Sequence, residues 1–178
     1  MATQSASAIA VKAAKEGDEV AFQLLLEPLL GQAYRLACGL LHDHQAAEDA
    51  VQEAAFNAWR KLPQLREGSE MRPWFFAIVA NECRSATRSR WWSVIRAVVP
   101  EPITQPQDEA IVAGVELRQA LRAMDADKRL VLVLHWYLDL PVKDIAAITG
   151  LSIRGAETRL LRATNELRKR MEANRGRR

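Results

Sequence analysis

The sequence predicts an all-α protein made of two small helical domains joined by a flexible linker. Only 8 Gly and 7 Pro occur in 178 residues, and the alternation of apolar and polar residues that is typical of strands is nearly absent. Three prolines, Pro100, Pro102 and Pro106, fall between Trp92 and Val115, where no helical stripe persists. Because proline lacks a backbone donor and fixes φ, we expect an extended linker there.

Because Gly and Pro are sparse, helices are predicted at residues 18–41, 46–61, 73–90, 115–124, 127–138, 141–149 and 153–172. The linker at 92–114 divides them into a first domain at 17–91 and a second at 115–173. Two small domains suit a chain of this length. The hydrophobic share of 49% supplies enough apolar material for their cores.

Charge is spread unevenly, although the net charge is only +3. Residues 42–53 and 97–116 each carry a local charge of −4 with no Lys or Arg, whereas residues 152–178 hold nine basic and three acidic residues, a charge of +6. The C-terminal end is therefore suited to an anionic partner.

Cofactor, metal and membrane signals are weak. Cys38 and Cys83 are predicted to be two core thiols, with a redox pair or a metal site as the alternative. His42, His44 and His135 have no convincing catalytic partners and no Gly-rich phosphate loop occurs, so we expect no enzyme, cofactor or small-molecule substrate; His42 to His44 indicates a turn between helices. No apolar run or leader pattern predicts membrane insertion, and a cytoplasmic location is expected.

The C-terminal domain has a helix-turn-helix pattern. Pro141 suits the first turn of a short helix, Gly150 ends it, and Ser152 can cap a longer basic helix. One face of that helix is apolar and consists of Ala156, Leu160, Ala163 and Leu167. The opposite face is polar and consists of Arg154, Thr158, Arg162 and Asn165. The polar face is suited to DNA, although an ordinary amphipathic helix with a solvated basic face fits the spacing too.

The first domain offers two further surfaces. Helix 46–61 has an apolar face of Ala47, Ala50, Val51, Ala54 and Ala58 and an opposite stripe of Asp49, Gln52, Glu53, Phe56 and Arg60. Phe56 in an acidic stripe indicates a protein interface, unless it packs under the N-terminal segment. The helix beginning at Pro73 carries Phe75, Val79, Cys83 and Ala86 on one side, and an exposed aromatic with a basic stripe on another: Trp74, Asn81, Arg84, Ser85 and Arg88. Unpaired bases fit that stripe, and a core Trp beside solvated arginines is the alternative.

Three segments resemble motifs of one family. AAEDAVQEAAFNAWRKL is similar to AEDxxQExFxxxWxxL, PWFFAIVANECRSATRSR to WLxxIAxNxxxDxxR, and the stretch from DADKRL to NELRK contains D-I-A-x-x-x-G and R-L-x-R-A. The chain thus resembles bacterial sigma-70 factors of the extracytoplasmic-function (ECF, group 4) type, over roughly residues 17–91 and 115–172.

The resemblance implies partners and roles. It implies an RNA polymerase sigma factor that binds core polymerase at the clamp helices and the flap, recognises promoter DNA and is controlled by an anti-sigma factor, which can hold it at the membrane. Core-polymerase binding would use Asp49, Gln52, Glu53 and Phe56. Minus-10 recognition would use Arg72, Trp74, Asn81, Arg84, Ser85 and Arg88. Minus-35 recognition would use Ser152, Arg154, Gly155, Glu157, Thr158, Arg159 and Arg162.

Several positions depart from the family pattern. Ala77 and Ala80 replace frequent arginines, so minus-10 contacts are expected to be fewer or different. Gly155 and Glu157 replace the usual Thr and Lys, and a glutamate can accept a hydrogen bond from a cytosine amine. The alternative class is a free-standing helix-turn-helix regulator whose N-terminal half senses a ligand or dimerises.

Overall fold

The computed structural model describes residues 2–66, 68–94 and 109–175, and these residues are helical with no strand, which confirms the predicted fold class. The N-terminal domain holds α1 (Ala2–Lys15), α2 (Glu19–Leu41), α3 (His44–Lys61) and α4 (Met71–Val94). The C-terminal domain holds α5 (Glu109–Arg122), α6 (Ala126–Leu132), α7 (Val142–Thr149) and α8 (Ile153–Arg175). A short 3₁₀ turn, Leu62–Gln64, follows α3, and a π turn, Val133–Tyr137, follows α6.

Several helix bounds differ from the prediction. The helix predicted at 127–138 is α-helical only to Leu132 and continues as the π turn. Helix α1 is absent from the predicted set; its apolar side is made mostly of alanine, the smallest apolar side chain, which marks a buried face only weakly. Helix α4 begins at Met71 and not at Pro73, since a proline in the first turn replaces an N–H that has no helical partner. Helices α4 and α5 also reach into the predicted linker, whose three prolines lie outside the described residues. The domain boundaries stay a prediction.

Side-chain caps set the starts of the helices. The Asp18 carboxylate accepts a hydrogen bond from the Ala21 N–H at 3.0 Å, and the Asp43 carboxylate accepts one from the Ala46 N–H at 2.9 Å. Gly150 ends α7 with a positive φ of 71°, a conformation that glycine adopts without a steric cost. The predicted turn at His42 to His44 is confirmed, since His42 ends α2 and Asp43 caps α3.

Each domain has an apolar core, and the two cores are continuous. In the N-terminal domain the small side chains of α3 pack against α2 and α4, around the fully buried Phe75 and Phe76. In the C-terminal domain Leu134 and Ile145 are completely buried. Dispersion and hydrophobic burial at these positions hold the helices in place.

The two domains also pack directly against each other, which the sequence did not predict. Helix α4 contacts α7, and α2 contacts the π turn. At Gly39 of α2, an added Cβ would lie only 2.8 Å from Cγ1 of Val133, so glycine permits this approach. The Arg122 guanidinium donates to the His42 carbonyl oxygen at 3.1 Å across the same junction.

Candidate nucleic-acid interface

The start of α8 is built as the sequence predicts. The Ser152 hydroxyl accepts a hydrogen bond from the Gly155 N–H at 3.1 Å, which is the N-cap geometry that satisfies an otherwise unpaired helical donor. Ala156 and Ala163 are fully buried, and Leu160 and Leu167 pack against the core. The opposite face is exposed, as predicted: Arg154, Thr158, Arg162 and Asn165.

An open cleft of about 560 Å³ lies between the start of α6 and the start of α8. Six of the seven predicted minus-35 residues line it together: Ser152, Arg154, Gly155, Thr158, Arg159 and Arg162. Glu157, the seventh, is exposed on the same helix but outside the cleft. The N-terminus of α8 opens there, and helix N-termini favour anionic groups.

Glu166 forms two ion pairs in the C-terminal half of α8. Toward its C-terminal end, Glu166 binds Lys128 at 2.7 Å and Arg170 at 2.9 Å. These hydrogen bonds lower the pKa of the Glu166 carboxyl below its ordinary value. This carboxylate therefore neutralises basic charge in that part of the helix, whereas Arg154 and Arg162 near the N-terminus are exposed to solvent.

The predicted minus-10 stripe on α4 is present only in its C-terminal half. Asn81, Ser85 and Arg88 are exposed on one side of the helix. Arg84 lies between them, where its Nη1 donates to the Asn81 side-chain oxygen at 2.9 Å. Amide, hydroxyl and guanidinium groups thus share one accessible surface.

Two predicted minus-10 residues do not join that surface as expected. Trp74 is half-buried and packs against the core, so the prediction of an exposed aromatic was wrong. Trp74 shares a helical stripe with Asn81, but at its end of α4 the side chain packs against the core. Arg72 lies half a turn around α4 from Asn81, and its guanidinium carbon stands 5.8 Å from the Phe76 ring centroid.

The acidic stripe on α3 is exposed, and all five residues of the predicted apolar face are buried. Phe56 is 56% exposed, so it does not pack under the N-terminal segment. The Arg60 guanidinium carbon lies 5.6 Å from its ring centroid, a cation–π contact. Asp49 and Glu53 border a cleft of about 390 Å³ between α3 and α4. This surface combines negative charge with an accessible aromatic ring.

Asp127 links the two candidate DNA surfaces, and sequence reasoning missed it. Its carboxylate lies 2.9 Å from Nη2 of Arg84 on α4 and 3.4 Å from Nη1 of Arg159 on α8. Arg84 is a predicted minus-10 residue and Arg159 a predicted minus-35 residue. No local sequence signal marks this role, because the pairing depends on how the two domains pack.

The cysteines differ from each other. Cys83 is 2% exposed, as expected of a core thiol, whereas Cys38 is half-buried and borders a cavity. Among the residues that the structure describes, no group of His, Cys, Asp and Glu is arranged to hold a metal ion. None of the described helices combines the length and apolar character that crossing a bilayer requires.

Comparison with known proteins assigns both halves of the chain. The sequence matches Sigma-70 region 2 over residues 25–93 and Sigma-70, region 4 over residues 114–167. The ECF RNA polymerase sigma factor EcfG of Rhodopseudomonas palustris is 31% identical over 134 residues, which cover 74% of each protein. The probable RNA polymerase sigma factor RfaY of Xanthomonas campestris is 30% identical over 75% of this chain, which spans only 36% of RfaY.

A solved structure shows the same architecture. The sigma factor RpoE from Bartonella quintana, crystallised in complex with the anti-sigma factor NepR, matches with a TM-score of 0.67 and 28% identity, over 85% of this chain and 96% of that one. The two matching regions follow each other in the order in which the sequence resemblance places them. The chain therefore belongs to the sigma-70 family, in its ECF group.

Proposed function

We propose that this ECF sigma factor binds core RNA polymerase through α3 and directs initiation at promoters whose minus-10 and minus-35 elements it recognises through α4 and α8. The observation that carries the proposal is the capped start of α8 with its exposed basic and polar face. A helix that enters a major groove must present such an exposed face to the bases.

Minus-35 recognition is assigned to the first half of α8. Arg154 and Arg162 supply phosphate or guanine contacts, and the N-terminus of the helix faces the same cleft. Glu157 stands exposed beside them. Since a carboxylate repels phosphate but accepts from a cytosine amine, Glu157 is proposed to set base preference and not affinity.

Minus-10 recognition is assigned to the exposed half of α4. Asn81 and Ser85 offer hydrogen bonds to a base, and Arg88 offers charge to the backbone. Extruding a base costs a few kcal/mol, which contacts to the extruded base offset. With Trp74 half-buried, stacking contributes less than the sequence suggested, and hydrogen bonds carry more of the recognition.

Core binding is assigned to Asp49, Gln52, Glu53 and Phe56 on α3. The two carboxylates repel DNA, which favours a basic protein partner such as the clamp helices of the polymerase. The exposed Phe56 ring supplies apolar contact area of the kind that anchors interfaces. The polymerase flap is proposed to meet the C-terminal domain.

We also propose that the two domains separate when the chain binds promoter DNA. One Asp127 carboxylate pairs with Arg84 and Arg159, so phosphate competes with it for both guanidiniums while the domains are in contact. An anti-sigma factor is proposed as a further partner, because a matched relative was crystallised with one. The chain acts in the cytoplasm, with the polymerase, and an anti-sigma factor can hold it at the membrane.

The sigma-70 family consists of transcription initiation factors and not of enzymes. We extend this to the present chain and propose that it has no catalytic activity of its own. Catalysis in the assembled complex then belongs to the polymerase.

The first test is run-off transcription with core polymerase and a pool of promoter fragments. The triple variant Asp49→Ala, Gln52→Ala, Glu53→Ala is expected to abolish specific initiation and core binding. A matched control is Glu19→Ala, Gln23→Ala, Glu27→Ala on α2. These residues are also two carboxylates and an amide, exposed on one helix face. Equal activity of both triples would place core binding elsewhere, and tight duplex binding without any initiation would indicate a free-standing regulator.

Base preference has its own test. Glu157→Gln is expected to change the ranking of minus-35 variants in a binding assay while total affinity stays within severalfold. Arg162→Ala serves as the comparison: a lost phosphate contact weakens all sequences alike and reduces the salt slope by about one, whereas a lost guanine contact changes the preference at one base pair. An unchanged ranking with Glu157→Gln would remove this role.

A further inference from the structure

A cavity of about 490 Å³ lies where the two domains meet. The end of α2 and the turn to α3 form one wall, and α5, the π turn and α8 form the other. Its lining is mostly apolar, and Trp136 and Tyr137 contribute aromatic rings. The volume falls within the range of about 300–1,000 Å³ typical of small-molecule pockets, which often lie at domain interfaces.

Three chemically active groups meet at the edge of this cavity. Sγ of Cys38 lies 3.7 Å from Nδ1 of His44, and the Tyr34 hydroxyl lies 3.0 Å from the same nitrogen. The rings of Tyr34 and His44 are stacked, with centroids 6.4 Å apart. A hydrogen bond with Cys38 raises the pKa of the Tyr34 phenol, which therefore stays protonated. Nδ1 of His44 can accept the thiol proton when the Tyr34 hydroxyl turns away from it, because this nitrogen has a single lone pair.

A second histidine points to an occupant with a hydrogen-bonding group. His42 also lines the cavity, and its Nε2 is buried with no hydrogen-bond partner among the described residues. Burial and the neighbouring Arg129, Arg122 and Arg118 lower the pKa of His42 to about 4, so the ring is neutral at pH 7. An unpartnered buried polar atom is costly, and because solvent does not reach Nε2, an occupant of the cavity can bond it only after the His42 ring turns toward the cavity.

The other thiol provides an internal comparison. Cys83 is buried in the core, and burial raises its pKa to about 12. Thiolate is the reacting form of cysteine, and access to solvent is needed as well. The chain therefore contains one accessible thiol beside a base and one inert thiol.

We propose that Cys38 is a covalent acceptor site for flat apolar quinones, which bind in the cavity before they react. The thiol proton passes to Nδ1 of His44 while sulfur forms a bond to a ring carbon of the quinone. The π electrons of the attacked C=C bond move onto the conjugated carbonyl oxygen, which takes the proton. Transfer of the remaining ring proton to the second oxygen gives a thioether hydroquinone. The quinone is thus reduced by two electrons, which come from the sulfur electron pair that forms the C–S bond, so no other reductant is required.

The aromatic lining accounts for the choice of a flat ring. Trp136 is 68% exposed and Tyr137 58% exposed, so both rings offer free faces for stacking. A quinone carbonyl is a hydrogen-bond acceptor, and the neutral His42 ring can donate to it from Nε2 once the ring turns toward the cavity. This proposal is independent of promoter recognition.

The test is anaerobic incubation of the full chain with 1,4-naphthoquinone, followed by intact-mass measurement and peptide mapping. We expect one adduct, on Cys38, and none on Cys83. The rate is expected to saturate with naphthoquinone concentration, as binding before reaction requires, and to rise linearly with iodoacetamide. Trp136→Ala should remove the saturation but leave the iodoacetamide rate unchanged. His44→Ala should slow both reagents by about tenfold or more, as for loss of a general base.

Three results would contradict the proposal. Labelling of Cys83 as fast as Cys38, or no adduct at all, would overturn it. A linear naphthoquinone rate that Trp136→Ala leaves unchanged would show a merely accessible thiol without a binding site, and would overturn it as well. Cys38→Ser is the negative control, and its unfolding curve should match that of the wild type.

Discussion

Substitution of Gly39 by alanine tests the direct contact between the two domains. In an isolated helix this change stabilises by about 1 kcal/mol, because alanine is the better helix former. Here the new Cβ would stand 2.8 Å from Cγ1 and 3.2 Å from Cγ2 of Val133. Val133 is 4% exposed and cannot turn away freely. Overpacking of this kind costs about 1–3 kcal/mol, so Gly39→Ala should be neutral to destabilising by about 2 kcal/mol.

Gly31→Ala is the matched control for that experiment. Gly31 lies on the same helix, and a Cβ at Gly31 meets nothing within 4 Å. It should therefore gain the full helix term of about 1 kcal/mol. The difference between the two variants isolates the clash, because the helix term is common to both. The assay is urea unfolding followed by circular dichroism, with the free energies compared at equal slope.

A second substitution separates the contact from other causes. Gly39→Ala in a Val133→Ala background should recover the helix gain, with a coupling energy of about 1–3 kcal/mol. If Gly39→Ala stabilises the wild-type chain as much as Gly31→Ala does, the contact between α2 and the π turn does not form in solution. The inference that the domains pack together would then be refuted.

Three further predictions concern caps and titrating groups. Ser152→Ala should cost about 1 kcal/mol in urea unfolding through loss of the α8 cap, while Ser152→Asn retains the cap and the stability. Folding lowers the pKa of His42 to about 4, so the unfolded chain binds the proton more tightly. Folding therefore becomes less favourable as pH falls from 6.5 to 4. His42→Asn, which tolerates the positive φ of 54°, should remove that loss, about 1–2 kcal/mol after solvent screening, in unfolding curves at pH 7 and 4.5. The lowered pKa of Glu166 makes its ion pairs stabilising above its ordinary pKa, and that stability is lost as pH falls through the lowered value. Glu166→Gln should abolish this step, about 1 kcal/mol or less, between pH 5 and pH 3.

Helices α3 and α8 show that the helical period predicts well which face of a helix is buried. The apolar positions of both helices are buried or packed on the core where the pattern places them. Helical period determines which residues share a face, and the most apolar face is buried. The caps at Ser152 and Gly150 follow from local chemistry in the same way.

Helix α1 and Trp74 show where the period is insufficient. Helix α1 has an apolar side made mostly of alanine, and tertiary contacts anchor it: Ala14 is buried, and the Lys15 ammonium donates to the Leu65 carbonyl oxygen. Trp74 shares a stripe with the exposed Asn81 but is half-buried. The helical wheel is the same for both residues, so the difference comes from which other element covers each end of α4.

The sequence by itself determined the helices after α1, the caps at Ser152 and Gly150, the sign of charge on each face and the family. These depend on residues within a few turns of one another. Tertiary structure alone decided that the domains pack together, that Asp127 holds Arg84, 43 positions away, together with Arg159, and that Cys38 borders a cavity beside His44. Such contacts depend on the relative orientation of two domains, and no local period along the chain encodes that orientation.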